Sequence, residues 1–286
     1  MNLKSLLRES DEMTVQQWQA FFHGVYGARN EERFPAEYGL SRMWLHLVQD
    51  MAALAKGIRK NDVARMLRML PRLFCWLCGF CTKAGFELEE IVWHFFPYVC
   101  PTCWSPTCAC GANKRVFRDA PQKDEKTLAE FREANAEKRP STLDGFVVMF
   151  ADVYGNHSES GNLTDVYLHF SEEVGEVAEW IRVVESLSDG RSEAQQGLTS
   201  ELADVFSWMC KLCWRINCNL QGFGPWAEHQ FGNAIDQRRF EIRFAAITSL
   251  QYGNGCPGCG QAVCARQCEG WDTRLAKASH QGGVVD

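Results

Sequence analysis

The sequence repeats itself, and that self-similarity constrains the fold more than any single motif does. Thr14-Val-Gln-Gln-Trp18 through Val25-Tyr26-Gly27 matches Thr142-Leu-Asp-Gly-Phe146 through Val153-Tyr154-Gly155. His46-Leu-Val-Gln-Asp-Met51 with Ile58-Arg59 matches His169-Phe-Ser-Glu-Glu-Val174 with Ile181-Arg182. Phe74-Cys-Trp-Leu-Cys78 matches Phe206-Ser-Trp-Met-Cys210, and Tyr98-Val-Cys-Pro-Thr-Cys103 matches Tyr252-Gly-Asn-Gly-Cys-Pro-Gly-Cys259. Blocks that recur in one order predict a diverged duplication, with a first repeat over 13–111 and a second over 141–270. Residues 112–140 are dense in Lys, Glu and Asp and read as a charged linker with a solvated helix around Glu125–Glu137. Residues 271–286 read as a small polar tail.

Helical spacing recurs along both repeats while strand-like alternation is scarce. Val166, Phe170, Val174, Val177, Ile181 and Val184 form one apolar stripe, and Leu202, Val205, Phe206, Met209, Cys213 and Ile216 form another. Gly190–Gly197 is expected to separate these two helices. With a helix before and after each such pair, the expectation is an all-α chain of two four-helix units.

The chain has 286 residues, enough for two modest cores. Its net charge of −6 supplies no basic field for nucleic acid. The longest apolar runs are too short to span a bilayer. The charged start, Met1–Glu12, lacks the apolar core of a signal peptide, so a cytoplasmic location and no membrane partner are expected.

The chemistry concentrates in the second repeat. Glu172-Glu173-Val-Gly-Glu176 is followed on the next helix by Glu201-Leu-Ala-Asp204. Residues three apart share a helix face, so Glu173 and Glu176 point together, as do Glu201 and Asp204. Both pairs border an apolar stripe, whereas Glu172 falls on the wetter face. Carboxylates crowded at a helix seam repel one another, and a hard cation such as Mg²⁺ or Mn²⁺ resolves that repulsion. A solvated acidic face is the alternative for either pair taken alone.

This constellation resembles the MazG-like, all-alpha nucleoside triphosphate pyrophosphohydrolases, whose signature is EExxE followed by ExxD. The resemblance covers the second repeat well and the first only in outline. It implies Mg²⁺-dependent hydrolysis of an NTP or dNTP to the monophosphate and pyrophosphate. By that resemblance Glu173, Glu176, Glu201 and Asp204 are metal ligands, and Glu172 is a further ligand or a water-activating base. Arg238 and Arg239, in a run with Asp236 where the family would have Asn, are candidate phosphate contacts. Lys211 is another, although its helix position faces away from the stripe. Trp180 and Trp208 are candidates to stack on a base, against a plain packing role.

The aligned positions in the first repeat are Gln49, Asp50 and Ala53, then Met69 and Arg72. Only Asp50 can still bind metal, so the first repeat is expected to be a degenerate copy. MazG-like domains generally dimerise, and a fused active and degenerate pair implies an intrachain pseudo-dimer, with a further homodimer possible.

Cysteine is the compositional oddity, at 14 residues. Cys100-Pro-Thr-Cys103 with Cys108 and Cys110, and Cys256-Pro-Gly-Cys259 with Cys264 and Cys268, each supply four thiolates suited to structural Zn²⁺. Each repeat is therefore expected to end in a small zinc knuckle. Free thiols, or ligands pooled between the sets, are the alternatives. Cys75, Cys78, Cys81, Cys210, Cys213 and Cys218 read as buried small hydrophobes. His46 and His169, shared by both repeats, read as helix-start or packing residues, and Tyr26 and Tyr154 as structural turn residues. Two other function classes remain open: a nucleotide sensor that binds but turns over slowly, and a zinc-knuckle nucleic-acid-binding module.

Overall fold

Thr14 and Thr142, aligned in the sequence, each start a helix. The Thr14 hydroxyl accepts from the Gln17 amide at 3.0 Å, and the Gln17 side chain accepts the Thr14 amide at 2.8 Å, closing a capping box. The Thr142 hydroxyl accepts from the Gly145 amide at 3.0 Å. The computed structural model describes residues 13–35, 37–110, 125–155, 162–186, 191–219, 235–236, 241–253 and 255–264.

In chain order the described elements are α1 (Val15–Arg33), α2 (Gly39–Lys60), α3 (Val63–Ala84), α4 (Leu88–Phe95), α5 (Glu125–Ala134), a short 3₁₀ turn (Ala136–Lys138), α6 (Leu143–Tyr154), α7 (Leu163–Ser186), α8 (Arg191–Asn219) and α9 (Phe244–Tyr252). Among the described residues, apart from β1 (Ile235–Asp236) paired antiparallel with β2 (Glu241–Ile242), the regular structure is helical. No helix among the described residues is long and apolar enough to cross a membrane.

The most extensive helix pairings are α2 with α3 and α7 with α8. These two pairs face each other, α2 on α7 and α3 on α8, and make a four-helix centre. At that centre the Phe74 and Phe206 rings lie 6.2 Å apart. Phe22 packs on Phe74, and Phe146 and Phe150 pack on Phe206. Burying a ring of this size stabilises the fold by about 1.5–3 kcal/mol.

Hydrogen bonds join α2 to α7, among them one from the Ser41 amide to Glu185 Oε1 at 3.0 Å. Trp44 Nε1 donates to the Val174 carbonyl at 3.0 Å, and the Tyr167 hydroxyl donates to the Met51 carbonyl at 3.1 Å. In the register that aligns His46 with His169, Trp44 pairs with Tyr167 and Met51 with Val174. These last two contacts are therefore reciprocal. The short helices cross over as well: α4 packs on α8, and α9 packs on α3.

The apolar stripes are buried as expected: Val166, Phe170, Val174, Val177 and Ile181 on α7, and Leu202, Val205, Phe206, Met209, Cys213 and Ile216 on α8. The helix break expected over Gly190–Gly197 is a correction, because α8 already runs from Arg191. Gly197 sits inside that helix, and a Cβ there would lie 2.3 Å from the Trp180 ring. The glycine serves close approach rather than chain reversal. The helix expected near Glu125–Glu137 is present as α5, but it is not wholly solvated. Leu128 is 1% exposed, and the helix rests on α4.

Candidate metal centres

Glu173 on α7 and Glu201 and Asp204 on α8 meet across the most extensive helix pairing. One carboxylate oxygen from each lies within 4.8 Å of the others. Glu173 is half-buried, and its pKa is pushed up to about 8, by burial first and then by the charges of Asp204, Glu176 and Glu201. Trp208, one turn beyond Asp204, donates its indole N–H to Glu173 Oε1 at 3.2 Å and opposes that rise. The Trp208 ring is stacked on His169 at 4.8 Å, which fixes its plane. Three oxygens at this spacing, from partly buried carboxylates, form a donor set suited to a hard divalent cation.

The other acidic residues of the motif stand further out. Glu176 is exposed at the rim, close enough for its charge to act on Glu173. Glu172 is exposed, with His169 Nδ1 3.2 Å from its Oε2. Lys211 Nζ lies 4.5 Å from the centre of the Trp208 ring, on the site's side of α8. Trp180 packs against Gly197. Arg238 and Arg239 lie outside the described residues.

The aligned region of the first half is closed by an ion pair. Asp50 is 5% exposed. Arg72 grips it twice, with 2.7 Å to Oδ1 and 3.0 Å to Oδ2. Trp76 Nε1 donates to the same Oδ2 at 3.0 Å, and His46 stacks on Trp76 at 4.9 Å. So Asp50, Trp76 and His46 occupy the relations that Glu173, Trp208 and His169 hold, and a guanidinium sits where Asp204 would. His46 and His169 lie within α2 and α7 rather than at their starts, so of the two roles expected, packing is the one observed.

Each cysteine set is a tight turn. In the first, Cys100, Cys103, Cys108 and Cys110 place their sulfurs within 4.8 Å of one another. Cys100–Cys110 is 3.8 Å, Cys103–Cys108 is 4.0 Å and Cys100–Cys108 is 3.3 Å. A tetrahedron with Zn–S of about 2.3 Å has a sulfur–sulfur edge of about 3.8 Å, so the four thiols fit Zn²⁺. Burial raises the Cys103 thiol, but the amides of Ala109 and Ser105 together with the thiols of Cys110 and Cys100 leave its pKa below the usual value. In the second set Cys256, Cys259 and Cys264 converge within 4.8 Å; Cys268 lies outside the described residues. The two turns share their hydrogen bonding: the Cys100 amide donates to Ser105, and the Cys256 amide to Gln261. The sets are separate, each with its own neighbours, so pooled ligands find no support.

Those neighbours come from the opposite half. The Cys108 amide donates to the Val153 carbonyl at 2.7 Å, at the end of α6. The Cys264 amide donates to the Val25 carbonyl at 2.8 Å, on α1. Val25 and Val153 are aligned residues. Tyr154 then hydrogen-bonds Cys100 and feels the Asp204 charge, while Tyr26 hydrogen-bonds Cys256. The tyrosines thus sit beside a cysteine turn in each half, Tyr26 inside α1 and Tyr154 as the last residue of α6, so both lie in helices and not in the turns expected. Their recurrence at aligned positions was the sequence signal for that placement.

No family model, curated protein or solved structure matches the chain.

Of the six cysteines expected to be buried, four behave as packed thiols, and the side chain of Cys218 lies outside the described residues. Cys78, Cys81, Cys210 and Cys213 are buried, and burial pushes their thiols above the ordinary range. Cys75 is only half-buried and lines a cavity.

Proposed function

We propose that the chain is a divalent-metal-dependent nucleotide pyrophosphohydrolase of the MazG-like kind, cleaving an NTP or dNTP to the monophosphate and pyrophosphate. The observation that carries this reading is the convergence of Glu173, Glu201 and Asp204 within 4.8 Å. It comes with the motif order of that family and with a Glu173 pKa raised to about 8. Functional sites are where carboxylates are held together in this way.

Bound Mg²⁺ or Mn²⁺ would neutralise phosphate charge and make a coordinated water more acidic. Glu173, Glu201 and Asp204 would hold that ion, with Glu176 near enough at the rim to join them. Trp208 fixes the Glu173 carboxylate through its indole N–H. Glu172, exposed beside His169, would serve as the base for the attacking water. Lys211 meets the phosphates from the rim. Trp180 is held against Gly197, which favours its packing role over base stacking.

The same reading makes the chain a tandem duplication folded as an intrachain pseudo-dimer. It is supported by the reciprocal pairs Trp44 to Val174 and Tyr167 to Met51, which are what a two-fold interface produces. Each half ends in a structural zinc knuckle that seats on the other half. A cytoplasmic location accords with this nucleotide chemistry.

The test is a panel of NTPs and dNTPs with Mg²⁺, following monophosphate and pyrophosphate. Release of both products, lost in Glu201→Gln, is the expected result. Tight nucleotide binding without turnover makes the protein a sensor instead. Salt-sensitive retention on nucleic acid with no nucleotide effect sinks both readings.

A further inference from the structure

The second half gathers carboxylates, and the aligned region of the first half gathers arginines. A cavity of about 230 Å³ opens there, walled by α1, α3 and the second cysteine turn. Arg29 and Arg33 stand one turn apart on α1, and Arg72 faces them from α3. The acidic group beside them is Asp50, already gripped by Arg72. Arg29 Nη1 is 3.6 Å from Cys264 Sγ, at the edge of the turn. Arg33, the last residue of α1, is exposed and leans over the Phe34 ring at 5.4 Å.

Four aromatic rings share the wall, those of Phe22, Tyr26, Trp76 and Tyr252, with His46 stacked flat on Trp76. The pKa of His46 is pushed down: burial is the larger cause, the Arg33 charge adds to it, and the Asp50 charge opposes it. Guanidinium forks match phosphate oxygens in pairs, and aromatic faces match a heterocycle. The volume is below the usual range for drug-sized ligands, so the occupant is compact.

We propose that this cavity binds a small phosphate-bearing anion directly, with arginines in place of the metal ion that the opposite half would need. It is a second ligand site, distinct from the acidic centre and independent of divalent cations. It does not rest on the hydrolase reading, because its charge and walls belong to α1, α2, α3, α9 and the second cysteine turn alone. The shared chemistry is a phosphate or pyrophosphate group, either free or on a nucleotide.

Calorimetric titration of the full chain tests this, in buffer without divalent cations or chelator, so that the cysteine turns are left undisturbed. The probes are inorganic pyrophosphate and adenosine monophosphate. One site per chain is expected, weakening as salt is raised. Arg33→Ala and Arg29→Ala should each weaken it about tenfold or more, the scale of one charge-assisted hydrogen bond. Arg33 lies at an exposed helix end, so its loss spares the core; Arg33→Lys, which keeps the charge but loses the fork, should fall between. Glu201→Gln should leave the binding intact, so failure of the hydrolase reading and failure of this one are told apart. Tighter binding of the monophosphate than of pyrophosphate assigns the aromatic wall to a base, and the reverse order assigns the cavity to a free phosphate group. No binding of either probe, or binding untouched by both arginine changes, overturns the proposal.

Discussion

Arg72 holds Asp50 by two contacts, 2.7 and 3.0 Å long, in a region where the carboxylate is almost wholly buried. The pair gives the first half an internal counter-charge at the position where the second half collects Glu173, Glu201 and Asp204. Breaking it from one side is expected to be costly, because the carboxylate stays behind. Arg72→Met should destabilise the chain by about 3–5 kcal/mol in urea unfolding, and Asp50→Asn added to it should recover much of that loss. A single-variant effect below ~1 kcal/mol, the range of a solvated pair, would show that the ion pair is dispensable.

Divalent-metal affinity should divide between the halves. Mn²⁺ titration is expected to weaken by tenfold or more, about 1.4 kcal/mol, in Glu201→Gln and in Asp204→Asn. Asp50→Asn should leave it unchanged. The opposite pattern would move the metal to the first half.

The pH dependence follows from Glu173, whose folded pKa is raised to about 8 from an ordinary 4.5. A raised carboxyl pKa stabilises the protonated folded state, so that contribution is full below about 4.5 and is lost as pH rises towards 8. The metal-free protein should therefore lose stability across that window, as read from its thermal midpoint. Metal binding needs the carboxylate, so affinity should climb over the same window by up to one decade per pH unit. Affinity that is flat with pH counts against Glu173 as a ligand.

Gly197 gives a packing test. A Cβ added there would meet the Trp180 ring at 2.3 Å, where the ring, carried on α7, lies against α8. Gly197→Ala should cost about 1–3 kcal/mol in spite of alanine's better helix propensity. Trp180→Leu in the same chain should relieve part of it, whereas a stabilised single variant means that the ring moves freely aside.

Metal analysis of carefully purified protein should find about two zinc per chain, if both cysteine sets are filled. Stripping it should speed hydrogen exchange at the Cys108 and Cys264 amides, which bond to Val153 and Val25. Unchanged exchange at both, with metal verifiably removed, would separate zinc from these contacts.

The helices and their buried faces were legible because apolar periodicity is a local property: Phe170, Val174 and Val177 had to share a side. The rim was harder to read. Glu176 lies three residues from Glu173, roughly 60° further from the core by helical rotation, which accounts for its exposure. Lys211, expected to face away, stands seven residues after Asp204 and so returns to within roughly 20° of the same rim. Facing away from the core stripe and facing the site are one direction there. Gly197 looked like a breaker because a glycine needed for a turn and one needed for close approach are the same letter. The exchange of cysteine turns between halves was not legible at all. An alignment says which residues correspond, but not whether a contact is made within a half or across to the other.

That exchange has a consequence for the chain as a heritable unit. The middle of α1 is covered by a turn encoded more than two hundred positions later, and the end of α6 by one encoded before it. A protease nick in the charged stretch between the halves should leave two fragments that stay together. A gene cut at the same place should yield neither half intact. The first half, whatever chemistry it carries, is therefore not separable from the second: substitution can alter that half, but truncation cannot remove it.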